Sequence, residues 1–206
     1  NDRWACYHST LYSFQLDMET ICIIPFVVAS SYAVLVAEHL FVSGCRLLIS
    51  ITSAGIIKEQ STAKKFALIT NAIRDEGTSY HYLPPGRPSI LNAGLLHALS
   101  AYSIKTQCPF FAGSSWTTDA PYRETQRSID NMKQQNILCV EMEAAALYAL
   151  SAVKNYNIIC FAHLTNSMAQ TEGDFEKGEE FGSLDSLTHI AAIRTKIQVF
   201  QGFAFF

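Results

Sequence analysis

Ile137–Leu164 reads ILCVEMEAAALYALSAVKNYNIICFAHL and changes character twice. Ile137–Val140 is a short apolar run that predicts a strand. Ala144–Val153 predicts a helix, and Ile158–Leu164 is a second buried strand. The acidic triplet Glu141-Met142-Glu143 sits at the first switch, between strand and helix.

Outward from this unit the alternation continues. Upstream, Trp4–Phe14 alternates as a strand does, Gln15–Glu19 reads as a turn, and Thr20–Phe26 as a second strand. Ser30 and Ser31 are natural N-caps for an apolar helix, Tyr32–Val42, and Gly44 suits its stop. Arg46–Thr52 is a β-rich run ending in the small residues Ser53, Ala54 and Gly55. Lys58–Lys65 is polar, Phe66–Ile73 a strand, and Pro84, Pro85, Gly86 and Pro88 mark an irregular loop. Ile90–Tyr102 has helical spacing, Cys108–Ala112 reads as a strand, Gly113–Thr125 as a polar loop and Arg127–Gln135 as a polar helix. Downstream, Gly173–Gly182 is a charged loop and Ser183–Val199 an amphipathic helix. The aromatic Gln201–Phe206 closes the chain with no evident role. Strands alternating with helices predict an α/β fold, a single domain over residues 1–206 with a mostly parallel central sheet flanked by helices.

Composition narrows the function. At 206 residues and 49% hydrophobic content, the chain can bury a sizeable core. Charged residues make up only 16% and the formal net charge is -3, so no basic field invites nucleic acid. The apolar stretch from Ile21 to Ile51 is interrupted by Ser30, Ser31, Glu38, His39, Gly44 and Arg46, which argues against a membrane span. Asn1–Tyr7 lacks a signal-peptide pattern. The six cysteines are far apart and mostly in apolar runs, so they read as free thiols of a cytoplasmic protein. The six histidines are equally scattered, and no metal is expected.

In α/β folds, ligands bind outside the carboxyl ends of the parallel strands. Those ends offer Thr52–Gly55, Asn71–Arg74, Ser114–Asp119, Glu141–Glu143 and Thr165–Asn166. Hydroxyls, carboxylates, an arginine and amides gathered in this way suit a small, polyhydroxylated, anion-bearing ligand.

Four segments then carry a resemblance. Cys139–Leu147, CVEMEAAAL, closely matches the V-E-M-E-A segment of hexameric purine nucleoside phosphorylases and uridine phosphorylases. Asp75–Pro84, DEGTSYHYLP, is similar to a uridine phosphorylase region. Ser115–Arg123, SWTTDAPYR, resembles the S-S-D-x-F-Y loop of these enzymes. Thr52–Gly55, TSAG, stands at their G-[ST]-x-G turn. The resemblance implies a phosphorylase/hydrolase-like fold and a reaction in which phosphate attacks the sugar carbon as the base leaves. It implies no cofactor, inorganic phosphate as co-substrate, a nucleoside as substrate, and a homo-oligomer whose subunits complete one another's sites.

Residue by residue, the resemblance gives Glu143 the ribose hydroxyls, Met142 the sugar face, and Glu141 a less defined part in the same motif. Ser53, with Gly55 in the same turn, matches the phosphate and ribose contact. Pro121 and Tyr122 fall where the family places an aromatic pair beside the base. Asn166 falls where purine phosphorylases of this group carry a proton-donating aspartate. Because an amide cannot transfer a proton, Asn166 is expected to favour 6-oxopurine nucleosides over adenosine, with uridine the rival.

Simpler readings stand beside these. Without Met142 and the preceding strand, Glu141 and Glu143 are better read as acids at a helix start. Ser53 and Gly55, taken alone, are turn residues. Tyr122 fits a core aromatic as well as a base contact. Arg123 is read either as a phosphate ligand or as a solvated charge. Arg74 is divided between anion binding and an ion pair with Asp75 or Glu76.

Departures from the family matter too. Ser50 stands where it has an arginine, and Val27, Val28 and Ala29 stand where a glycine usually precedes the helix. The chain also starts beyond the family's first strand and glycine-rich loop. A depleted phosphate site and weak phosphate dependence are therefore expected. A phosphorylase ranks first, a hydrolytic nucleosidase second, and a non-catalytic nucleoside-binding, storage or truncated inactive protein third.

Overall fold

The computed structural model describes residues 9–16, 19–58, 66–106, 110–167 and 203–205. In chain order its first half holds β1 (Tyr12–Leu16), β2 (Glu19–Ile23), α1 (Ser30–Val42), β3 (Leu47–Ile56) and β4 (Phe66–Asp75). Next come β5 (Ser89–Ile90), α2 (Ala93–Thr106), β6 (Phe110–Thr118), α3 (Gln126–Gln134) and β7 (Cys139–Glu141). The last elements are α4 (Ala144–Lys154), β8 (Ile158–Ser167) and β9 (Phe203–Phe205). Two 3-10 turns, Thr78–His81 and Pro121–Arg123, follow β4 and β6.

The strand–helix–strand unit of β7, α4 and β8 forms as its sequence predicts. α4 is buried along Ala144–Ser151 because its small and branched residues pack on α1 and on β4 and β5. Leu147, Tyr148 and Leu150 are fully enclosed. Burying each leucine contributes about 1.5–3 kcal/mol. Tyr148 also satisfies its hydroxyl, donating to the Ile69 carbonyl and accepting from the Cys160 N–H. Cys139 and Cys160 are buried free thiols, while Cys22 and Cys45 are half-buried.

The sheet is more closed than the mostly parallel layer expected. β3 runs parallel to β8, and β4 parallel to β6. β7 is parallel to β6 but antiparallel to β3, and β8 is antiparallel to β4. The path β3-β7-β6-β4-β8 therefore returns to β3, giving a mixed, partly closed, barrel-like sheet. Length and twist are the physical cause. β3, β4 and β8 each extend over 10 residues. A twisted sheet with strands this long curls until β8 meets both neighbours. A bulge between Ala54 and Gly55 adds curvature at the end of β3 that carries the site.

Several segments differ locally from the sequence reading. Ser53, Ala54 and Gly55 lie within β3 rather than in a turn, because β8 and β7 both pair with that end of the strand. Gly113–Thr118 belongs to β6, since β4 and β7 supply its hydrogen-bond partners. A Cβ at its Gly113 would lie 2.8 Å from Cδ2 of Leu138, so any larger residue there forces that buried side chain to shift. β2 ends at Ile23, and Ile90 pairs in β5 instead of starting a helix. The charged loop and closing helix expected over Gly173–Val199 lie outside the described residues. Within the aromatic C-terminal segment, β9 inserts between β2 and β3 and joins the β1–β2 hairpin to the sheet.

The two ends of α1 contrast. At its C-terminus Gly44 has φ 101, its N–H donates to Phe41 O, and the Cys45 N–H donates to Leu40 O at 2.9 Å. That pair of bonds is a Schellman stop. At its N-terminus, Ser30 is already helical and does not cap. Ala29 is the N-cap, at φ 74 and ψ 149, with no side-chain cap of its own. None of the described helices is long and apolar enough to cross a membrane.

Candidate active site

The switch from β7 to α4 builds the site. Glu141 is the last residue of β7 and is buried at 3% exposure. One of its carboxylate oxygens, Oε1, accepts from Ser115 Oγ at 3.0 Å and from Thr117 Oγ1. The other, Oε2, accepts the backbone N–H groups of Glu143 and Ala144, both at 2.8 Å. Thr117 Oγ1 in turn accepts the Ala145 N–H. Glu141 and Thr117 thus satisfy the first N–H groups of α4, where the helix dipole favours negative charge. Burial pushes the Glu141 carboxyl up, and its four donors pull the other way.

Glu143 is as deeply buried, at 2% exposure, but its partners come from elsewhere in the chain. Its Oε1 accepts from the Ala29 N–H at 2.7 Å, at the start of α1. Its Oε2 accepts from Thr52 Oγ1 of β3 at 2.8 Å and, more weakly, from the Met142 N–H at 3.3 Å. Ser30 Oγ donates to the Met142 carbonyl at 2.7 Å, locking the α1 start onto the switch. Burial, then the neighbouring Glu141 charge, pushes the Glu143 carboxyl up to about 7, against the opposing bonds from Thr52, Ala29 and Met142. A carboxyl of this kind changes charge near neutral pH.

The other candidates divide into two groups. Ser53, Gly55 and Asn166 share the same end of the sheet as the glutamates: Gly55 pairs with Val140 on one side and with Asn166 on the other. Ser53 is exposed, and Met142 is half-buried beside Glu143. Only the backbone of Asn166 is described.

Arg74, Tyr122 and Arg123 stand differently. Arg74 lies within β4 and is committed to the following loop. Its guanidinium donates to Ser79 Oγ and to the carbonyls of Leu83, Pro84 and Arg87, and it stacks over Tyr80 at 4.2 Å. Four of the five guanidinium N–H groups are thus spent on loop structure, and neither Asp75 nor Glu76 is its partner in these bonds. Tyr122 is wholly exposed rather than a core aromatic, and Arg123 is exposed on the same short turn. Ser50, in the position of the family arginine, is a buried strand residue and brings no positive charge. Among the described residues no group of three or more His, Cys, Asp or Glu side chains gathers to hold a metal ion.

Sequence reasoning gave no individual role to Thr52, Ala29, Ser115 or Thr117, although all four hold the two glutamates. Thr52 and Ala29 did leave a signal, since both occupy places where the resembling family has glycine. Ser115 and Thr117 fell within the strand-end stretch Ser114–Asp119 and the resembling segment Ser115–Arg123, but nothing there singled out either hydroxyl.

Residues 7–194 match the phosphorylase superfamily. The chain belongs to that superfamily. Among curated relatives, a guanosine phosphorylase of Halorubrum lacusprofundi is 25% identical over 122 residues, 59% of this chain and 51% of the relative. A DeoD-type purine nucleoside phosphorylase of Shewanella oneidensis is 26% identical over 145 residues, 70% of this chain and 61% of the relative. The chain thus spans about half to three-fifths of the length of these relatives.

Proposed function

We propose that the chain is a nucleoside phosphorylase that cleaves the N-glycosidic bond of a purine nucleoside with phosphate, giving ribose 1-phosphate and free base. The carrying observation is Glu143, a buried carboxylate at the strand-to-helix switch of a superfamily fold, charged or neutral near pH 7 and held by three separate elements. Once ionised, it can accept a sugar hydroxyl and oppose the positive charge that develops on the ribose ring as the base departs. Met142 packs on the sugar, while Ser53 and the Gly55 backbone hold phosphate in line. Asn166 donates to the base, and no cofactor takes part. With Arg74 committed to its loop and Ser50 uncharged, Arg123 remains, of the two arginines singled out in the sequence, as the cation for phosphate, which is held weakly.

Substrate choice follows from Asn166 and from the relatives. An amide opposite N7 and O6 suits guanosine and inosine, and one relative is named for guanosine phosphorolysis. Exposed Phe26 and Val28, directly before Ala29, support a homo-oligomer in which a second copy covers this flank. The buried, neutral Ser50 favours one second reading, a hydrolytic nucleosidase in which water replaces phosphate.

One experiment separates these readings. Cleavage of guanosine, inosine, adenosine and uridine is followed across a phosphate titration, with ribose 1-phosphate and ribose quantified. Phosphorolysis of 6-oxopurine nucleosides, saturating only at millimolar phosphate, is expected. Ribose formed at a rate independent of phosphate establishes hydrolysis instead. Adenosine as the best substrate, or an unchanged preference in Asn166→Asp, removes Asn166 from base selection.

A further inference from the structure

We propose that β9 is a positioning element of the site: by spacing β2 from β3, it fixes where the start of α1 meets the β7–α4 switch. The inference rests on the reading of that switch as the sugar site. Each β9 residue is paired on both sides: Phe203 with Ile21 and Leu47, Ala204 with Cys22 and Leu48, and Phe205 with Ile23 and Ile49. Among the described residues, β9 is the only strand that joins β2 to the rest of the sheet, because its other neighbour, β1, lies at the edge. The aromatic stretch Phe203–Phe205, without evident role in the sequence, thereby acquires one.

The link from β2 to the site is short, since only Ile24–Ala29 separate β2 from α1. Ile24 is fully buried, but Phe26 and Val28 are 92% and 60% exposed, so the outer part of the link gains little packing of its own. Phe26 at φ 63 and Ala29 at φ 74 hold left-handed conformations, which non-glycine residues keep only where the surroundings impose them. Here the two ends impose them: β2 through its pairing with β9, and α1 through its packing on α4. The link then delivers the Ala29 N–H to one oxygen of Glu143 at 2.7 Å, while Thr52 of β3 holds the other at 2.8 Å. One side chain is thus gripped from both sides of the slot that β9 fills. With a strand between them, β2 and β3 stand two strand spacings apart, roughly 9–10 Å. If β9 is lost, the β1–β2 hairpin can shift against β3 and the two donors no longer converge.

The test uses Ala204→Pro, which cannot donate to the ladder at the middle of β9. Its control is the double variant Ser13→Pro/Phe14→Pro, which disrupts β1 on the far side of β2 and leaves β9 in place. Inosine binding is measured by calorimetry in phosphate-free buffer, and hydrogen exchange of single amides by NMR, at a temperature where urea curves show each variant folded. Ala204→Pro is expected to weaken inosine binding about tenfold, the scale of a hydrogen bond to a charged group. The Ala29 amide should exchange about tenfold faster while the amides of α4 keep their protection. The control should change neither. A merely destabilised but folded protein keeps its Kd, so an unchanged Kd in Ala204→Pro overturns the proposal, whether or not exchange quickens. Equal effects in the control overturn it as well, because the hairpin and not β9 would then carry them. Should Ala204→Pro fail to fold, Ala204→Gly is read by the same two measures, with smaller shifts expected, and no shift in either overturns the proposal. If the wild type binds no inosine, the nucleoside reading falls, and exchange at Ala29 alone decides whether β9 sets the start of α1.

Discussion

Glu141 and Glu143 are two residues apart at one strand-to-helix switch, and each is almost wholly buried. Around Glu141 the donors are local to the β6–β7–α4 corner: two hydroxyls from β6 and two N–H groups at the start of α4. Around Glu143 they come from the α1 N-terminus and from β3, far apart in sequence. The first carboxylate has every acceptor position filled and closes a corner of the fold. The second retains an open position and sits where three elements converge. The same side chain thus serves architecture at one position and, two residues later, keeps an acceptor position for the sugar contact proposed above; the donor count tells them apart.

Removing Glu141 should produce the largest effect. In Glu141→Ala, two helix N–H groups and two hydroxyls lose their acceptor in a buried corner. Each buried donor left without a partner costs about 1–3 kcal/mol, so urea denaturation should show the midpoint falling sharply with the slope unchanged. A midpoint close to wild type would show that Glu141 does not hold the corner together.

Next in size is a dependence of stability on pH. The folded-state pKa of Glu143 is raised from 4.5 to about 7. Between these values the native state holds a proton that the unfolded state has released, so this group's contribution to stability is full below about 4.5. It is lost as pH climbs through about 7, a change on the order of 3 kcal/mol. Activity runs the opposite way, because only the ionised carboxylate grips a sugar hydroxyl: kcat/KM should rise as pH passes about 7. Glu143→Gln should flatten this limb of the stability profile. If the variant keeps the full slope, another group carries it.

The same variant should also separate activity from stability. Glutamine can still accept the Ala29 N–H through its carbonyl, and the Thr52 hydroxyl can rotate to accept from the amide, so only the weak 3.3 Å bond from the Met142 N–H is lost. The fold should therefore lose little. Transition-state stabilisation by a charge is lost, and kcat/KM should fall at least about tenfold, equivalent to 1.36 kcal/mol or more. Wild-type kinetics in Glu143→Gln would end the assignment of Glu143 to the sugar.

Much of this contrast was legible in the sequence, and the limits have physical causes. α4 and the burial of its face followed from Ala144–Val153, because helix periodicity is local. The triplet Glu141–Glu143 was legible as a site, but the division of labour within it was not, since it depends on donors brought in by β3, β6 and α1. Ser53–Gly55 and Gly113–Thr118 read as turn and loop because small and polar residues dominate both, whereas sheet pairing on both sides overrides that preference. Arg74 shows the converse. A cation after a strand looks like an anion site until the carbonyls of Leu83, Pro84 and Arg87 are found around it.

The smallest effect is expected at the α1 start, and it tests whether strain accompanies the carboxylate proposed to bind the sugar. Gly44, at the structural end of the helix, adopts φ 101 with the residue type that tolerates it. Ala29, at the Glu143 end, adopts φ 74 and ψ 149, a region close to that which only glycine visits freely. The Ala29 Cβ is therefore held in an unfavourable conformation, and what the conformation secures is the 2.7 Å bond from its N–H to Glu143. Ala29→Gly relieves the strain but adds freedom to the unfolded chain, an offset of about 0.4–1 kcal/mol. The net expected gain in stability is up to about 1 kcal/mol, with the bond to Glu143 retained. Gly44→Ala should lose about 1 kcal/mol, because it introduces the same kind of strain with no compensating contact. Urea midpoints of the two variants should therefore move in opposite directions. If Ala29→Gly destabilises as Gly44→Ala does, the α1 start is not strained and the contrast between the two helix ends fails.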